Sequence, residues 1–228
     1  MIRRFLLLLC FLCFASTAFG EQRPLEQVVT AIEERYSTLM DFSASFSQST
    51  SIPGFPKPQQ AQGTLALRRP EGGKPQFRFD YRSPRQTIVS DGTTLWYYQP
   101  EAQTVLIQRL DGPQGGNLAR AVSFIADLGS IRRDFNISYA TPAADTHGNP
   151  RLLLTPKRNG LFRSLQLTIA ASIVGSDTPN SFPVLEAVLV DLAGTRTTFR
   201  YRDTAINQGL PASRFSFRVP PHTAVMQH

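Results

Sequence analysis

Cysteine is almost missing from this sequence. Its two examples, Cys10 and Cys13, both fall within the first twenty residues. Beyond them the chain cannot form a disulfide, a thiol nucleophile or a thiolate-held metal site. Histidine is nearly as scarce. His147 stands in a Gly/Pro-bounded loop, His222 and His228 lie near the end, and none has a partner at metal-ligand spacing. The chain has no Gly-x-Ser-x-Gly elbow, and neither Gly72-Gly73 nor Gly115-Gly116 leads into the Gly-Lys-Ser/Thr of a phosphate loop. Carboxylate pairs such as Asp80 and Asp91 are chemically able to serve glycoside hydrolysis, but 17 acidic residues offer many such pairs by chance. Asn136-Ile137-Ser138 matches a glycosylation triplet but falls in an expected strand. No enzyme activity, catalytic residue, metal or cofactor is expected. Lysine is rare too: of the 24 basic residues only Lys57, Lys74 and Lys157 are lysines. The arginines are spread along the chain, with no basic stripe of the kind that binds nucleic acid.

What is present begins with an export signal. Arg3 and Arg4 precede an apolar run from Phe5 to Phe14, and Ala18-Phe19-Gly20 fits a small-x-small cleavage site. The run is too short for a membrane span, and no later stretch approaches 18 apolar residues. Residues 1–20 are therefore expected to be removed, leaving 208 of the 228 residues as one domain, 21–228. Loss of Arg3 and Arg4 leaves 22 basic against 17 acidic residues, a net +5. An exported chain without cysteine suits a bacterial periplasm.

The body of the chain reads as short strands. Leu65 and Leu67 alternate with Thr64, Ala66 and Arg68; Phe77, Phe79 and Tyr81 alternate with Arg78 and Asp80. Period two puts one face in an apolar environment and the other in water. Asp91-Gly92 between Ile88-Val89 and Leu95-Trp96 signals a hairpin. Similar patterns predict strands at Phe42–Phe46, Thr104–Ile107, Phe135–Tyr139, Leu152–Leu154 and Leu165–Ile169. A long hairpin is expected around Ala193-Gly194, with Phe215 and Phe217 closing the sheet. Ile52 to Ala61, with Pro53, Pro56 and Pro58, reads as a loop. Leu25, Val28, Val29, Ile32, Tyr36 and Leu39 recur at helical spacing and predict an amphipathic helix over 24–40. Leu118, Ala121, Val122, Ile125 and Leu128 predict a second helix, ending at Gly129. Hairpin after hairpin without strand–helix alternation argues for an antiparallel sheet of the α+β class. Phe42, Phe46, Leu65, Leu67, Phe77, Phe79, Leu95 and Trp96 are expected to point inward, lining either a solid core or an apolar cavity.

The order Gly63-x-Leu65-x-Leu67-Arg68-Arg69-Pro70, Phe77-Arg78-Phe79, Ser90-Asp91-Gly92-x-x-Leu95-Trp96-x-Tyr98 resembles the periplasmic outer-membrane lipoprotein carrier family, LolA. Weaker likeness continues through Leu153-Leu154-Thr155-Pro156-Lys157 and Phe215-Ser216-Phe217-x-x-Pro220. The resemblance implies a mainly β fold in which one curved antiparallel sheet forms an incomplete β-barrel. Its concave face would be covered by the N-terminal helix and a mid-chain helical insertion, carrying Val28, Val29 and Ile32 and Leu118, Val122 and Ile125 respectively. It implies a carrier of acylated lipoproteins, a monomer that takes cargo from an inner-membrane ABC transporter and gives it to an outer-membrane receptor. It also implies that Arg69, in the Arg-Pro motif, ties the cover shut when no cargo is bound. Leu65, Leu67 and Arg69 share parity, so strict alternation puts Arg69 on the apolar face. Glu71-Gly72-Gly73-Lys74 lengthens the turn before Phe77 relative to the family pattern. A lipid or glycolipid binder of related fold, or an envelope-stress sensor, would use the same architecture.

Overall fold

The computed structural model describes residues 23–110, 128–158, 162–174 and 182–227. The first twenty residues and the Leu118–Ile125 stripe lie outside the described residues.

Proline at position 24 starts the chain's N-terminal helix, α1 (Leu25–Ser37). The Pro24 carbonyl accepts from the N–H groups of Gln27 and Val28. The predicted stripe is the buried one, since Val28, Val29, Ile32 and Tyr36 are all fully or almost fully covered.

The strands then follow as hairpins: β1 (Asp41–Ser51), β2 (Gln59–Arg68), β3 (Gln76–Ser83), β4 (Arg85–Ser90), β5 (Thr94–Gln99) and β6 (Thr104–Arg109). The second half supplies β7 (Phe135–Ala144), β8 (Pro150–Pro156), β9 (Phe162–Ile169), β10 (Val184–Asp191) and β11 (Arg196–Ile206), with β12 (Ala224–Gln227) near the end. They form one sheet in the order β12-β6-β5-β4-β3-β2-β1-β11-β10-β9-β8-β7. β1 pairs with β11 through a long-range antiparallel register, Phe42 to Ile206 and Phe46 to Tyr201. That seam joins the two halves, and β12 and β7 remain as edges, so the barrel is incomplete. α1 packs over the inner face, its buried stripe joining Phe42, Leu65, Phe77, Leu154 and Leu167 in one core.

Both hairpin turns expected from sequence are there. Gly92 has φ +93°, and the Asp91 carboxylate accepts from the Thr93 and Thr94 N–H groups at 2.8 and 2.7 Å. A side chain at Gly92 would also collide with the Lys74 carbonyl. Gly194 likewise has φ +88° in the β10–β11 turn.

Two expectations fail. Phe215 and Phe217 do not close the sheet. Phe215 ends a 3-10 turn (Ala212–Phe215), and the added strand is β12, parallel to β6. Alternating phenylalanines looked like a strand, yet Phe215 is buried outside the main core, while Phe217 packs on Tyr98 with ring centroids 5.5 Å apart. Nor does helical geometry stop at Gly129. A 3-10 turn (Leu128–Ser130) runs into a single helical turn (Ile131–Asp134) because Leu128 and Ile131 are both buried.

Candidate functional site

Cross-strand pairing decides which side chains share a face. Phe42 opposes Leu67, Leu67 opposes Phe77, and the row continues through Ser90 to Leu95. The next row runs Ala44, Leu65, Phe79, Ile88, Tyr97. The row after it places Phe46 opposite Gly63 and Tyr81. A Cβ at Gly63 would lie 2.2 Å from the Asp80 carbonyl, so only glycine lets β2 approach β3 at that bulge. Phe42, Phe46, Leu65, Leu67, Phe77, Phe79 and Leu95 are thus gathered on one face and buried.

Trp96 is a correction. It opposes Val89 and Ile107, one residue out of step with Leu95, and so belongs to the other face. Adjacent residues of a strand cannot both point inward. The outer face there has its own apolar cover, where Ala66, Val89, Val105 and Phe215 are buried apart from the main core.

Several inner-face residues come from the second half of the chain and were not singled out from the sequence. Phe182 stacks on Phe42 with centroids 3.8 Å apart. Tyr201 meets Phe42 edge-on, and Phe199 tilts against Phe46 and Phe79. Alternation of Phe199 and Tyr201 in β11 was a visible signal, but nothing local says that β11 lies beside β1. Phe46 also contacts Phe79 and Tyr81 edge-on, at 5.6 and 5.0 Å. Such offset pairs each contribute about 0.5–1.5 kcal/mol beyond their buried area.

Two tyrosine hydroxyls on this face have hydrogen-bond partners and a third has none. Tyr81 donates to Gln48 Oε1 and Tyr97 to Gln86 Oε1, both at 2.8 Å. The hydroxyl of Tyr36, on α1, is fully buried and has no hydrogen-bond partner. Burial pushes the Tyr36, Tyr81 and Tyr201 hydroxyls well above the ordinary tyrosine pKa.

Polar bonds hold α1 over this face. The Arg69 side chain donates through Nη1 to the Tyr36 carbonyl at 2.6 Å, in the last turn of the helix. Last-turn carbonyls have no partner within the helix, and a cation is favoured there. The Arg69 N–H donates to the Met40 carbonyl at 2.8 Å, fixing the strand end beside the helix end. The lengthened turn does not disturb this. Gly73 N–H closes on the Pro70 carbonyl at 3.1 Å, and Leu67 still opposes Phe77. Beneath the same helix end, Asp41 accepts from the N–H groups of Gln208, Gly209 and Leu210. At the other end, Arg23 donates to the carbonyls of Ala171 and Val174. Along its length, Arg132 reaches Glu26, Thr30 and Glu33. Hydrogen bonding to Glu26 raises the Arg132 pKa against a smaller burial effect. Arg132 is partly exposed, so each of its bonds is screened and weak.

The arrangement is an apolar, aromatic face under an amphipathic helix whose rim is fastened by arginines. Among the described residues no group of three or more His, Cys, Asp or Glu side chains stands ready to hold a metal ion.

Comparison with known proteins gives concordant results. The family described as "Outer membrane lipoprotein carrier protein LolA" matches residues 37–218. An outer-membrane lipoprotein carrier protein of Azotobacter vinelandii is 30% identical over 224 residues, covering 97% of each chain. One of Pseudomonas aeruginosa is 30% identical over 216 residues, covering 93% of this chain and 92% of the relative. In fold, the chain is similar to an uncharacterized conserved protein from Thermus thermophilus, with TM-score 0.51, 11% identity and coverage of 89% and 98%.

Proposed function

The chain belongs to the LolA family of outer membrane lipoprotein carrier proteins, and from that premise we propose that it shelters the acyl chains of lipoproteins between α1 and the inner face of the sheet, carrying them through the periplasm from inner to outer membrane. Residues 1–20 act as the export signal and 21–228 as the carrier domain, with no chemical step. The cargo comes from an inner-membrane ABC transporter and goes to an outer-membrane receptor.

The observation that carries this reading is the bond from Arg69 to the Tyr36 carbonyl across an apolar face. A charge-assisted bond of this kind contributes about 1.5–3 kcal/mol. Burying an acyl chain gains about 0.8 kcal/mol per methylene, so ten methylenes supply on the order of 8 kcal/mol. Entering chains can therefore lift the helix end and break the bond. Re-forming it on departure offsets part of the cost of giving the chains up, and so helps release. A solid core would have no use for a fastening whose breakage exposes an apolar face. The closed, well-packed state described here fits the empty carrier.

Mass spectrometry of the protein purified from its native periplasm tests the proposal. Co-purifying triacylated lipoprotein supports it. Free lipid alone, or an empty protein that brings down one regulatory partner, overturns it.

A further inference from the structure

The strand registers place four described hairpin turns at one rim of the barrel, opposite the rim that holds Arg69. β1 ends at Ser51 opposite Arg196, the first residue of β11, and β3 turns into β4 beside the start of β2. Adjacent tips on this rim stand about 10 Å apart. Among the described residues, the two most exposed large hydrophobics are both here, Phe55 at 66% and Leu192 at 63%. They rise from neighbouring loops, since a Cβ at Gly194 would touch Pro53 Cγ at 3.4 Å. Pro53, Pro56 and Pro58 deny the Phe55 loop the N–H groups it would need to pair as an edge strand, which keeps it projecting. Arg163 donates to the Leu192 carbonyl, holding the second tip in place.

Cations surround these two apolar tips. Lys57, Arg82, Arg85 and Arg196 are all exposed at the same rim. Among the described residues its carboxylates include Glu101, Asp134 and Asp191; Asp134 pairs with Arg133, and Asp191 accepts from the Thr195 N–H at 2.8 Å. Apolar tips that immerse, ringed by long cationic side chains that stay at headgroup level, match a deformable anionic surface.

We propose that this rim docks the protein on a bilayer containing anionic phospholipid, with Phe55 and Leu192 entering the interface and the surrounding cations on phosphate groups. The protein thereby approaches a membrane with its Arg69 rim facing away. The site is separate from the acyl-chain face and works whether or not cargo is bound.

Protein expressed as the full 228-residue chain and purified in its processed form is sedimented with phosphatidylcholine vesicles, with and without phosphatidylglycerol. Binding only to the anionic vesicles, weakened by salt, is expected. Two variants, Phe55→Ser with Leu192→Ser, and Lys57→Gln with Arg82→Gln and Arg196→Gln, should each bind about tenfold more weakly or worse. All these side chains are exposed, so both variants should keep the wild-type melting temperature. Arg109→Gln with Arg202→Gln and Arg214→Gln removes the same charge away from this rim and should bind nearly as wild type. The proposal is overturned by wild-type protein that ignores phosphatidylglycerol. Rim variants that bind like wild type, or an equal loss in the distant control, overturn it as well.

Discussion

Arg69 concentrates the proposed mechanism in one side chain. Its Nη1 bond to the Tyr36 carbonyl joins the end of β2 to the end of α1. Replacing Arg69 by Leu removes the fork but leaves the apolar face intact. The variant is expected to load lipoprotein and to pass it to outer-membrane receptor at least about tenfold more slowly, given the strength of a charged hydrogen bond. Lys at this position keeps charge without the planar fork and should restore part of the rate. Transfer by the Leu variant at the wild-type rate would reduce Arg69 to an ordinary strand-end residue. Tyr36 makes the complementary point from within the face. Its hydroxyl is buried without a partner, and such a group costs about 1–3 kcal/mol. Tyr36→Phe should therefore stabilise the empty protein, raising its melting temperature by about 2–4 °C for each kcal/mol gained. A lower melting temperature would show that the hydroxyl is needed for packing or is hydrated.

At the level of elements, the outer face of β4–β6 and the C-terminal segment form a second, small apolar layer. Phe215 is buried there, Phe217 packs at a tilt against Tyr98, and Arg78 donates to the Arg214 carbonyl. Trp96 shares this face with Val89 and Ile107. It is the chain's one tryptophan, which makes a clean reporter. A long-chain lipopeptide that binds beneath α1 should leave the Trp96 emission where it is, while displacing an apolar dye from the inner face. A shift of the emission maximum on lipopeptide binding would mean that cargo reaches the convex side. Sequence made the strands legible here but not the segment covering them. Phe215-Ser216-Phe217 has the period of a strand, and only the lack of a neighbour to pair with turns it into a cover.

Across the whole molecule, the buried tyrosines tie stability to alkaline pH. Burial raises the hydroxyl pKa of Tyr36, Tyr81 and Tyr201 above the ordinary tyrosine value, whereas in the unfolded chain they ionise near it. The stability gained by keeping them neutral is complete below about pH 10 and is lost as pH rises, because the unfolded chain releases those protons first. Titration should show part of the phenolate absorbance appearing together with the loss of far-ultraviolet circular dichroism. Smooth ionisation of all six tyrosines with the dichroism unchanged would contradict the burial of this cluster. The same three rings draw on α1, β3 and β11, so the alkaline transition reports the joint between the two halves of the sheet.

By itself the sequence determined the local structure and the relatives of this protein. Period two in Leu65–Leu67 and Phe77–Tyr81, helical spacing from Leu25 to Tyr36, and glycines where turns need positive φ are all information carried within a few residues. The family pattern in the Arg69-Pro70 and Asp91-Gly92 region is local in the same way. Tertiary structure alone decided which strands meet. The pairing of β1 with β11 spans most of the chain, and only that pairing brings Phe182, Phe199 and Tyr201 to Phe42 and Phe46. Alternation fixes that Leu95 and Trp96 face opposite ways, but not which of them faces inward; neighbouring strands settle that. Nor can spacing say that Arg69 would find the Tyr36 carbonyl, because an arginine's partner is set by where a distant helix ends, and that is fixed only once the helix has packed on the sheet.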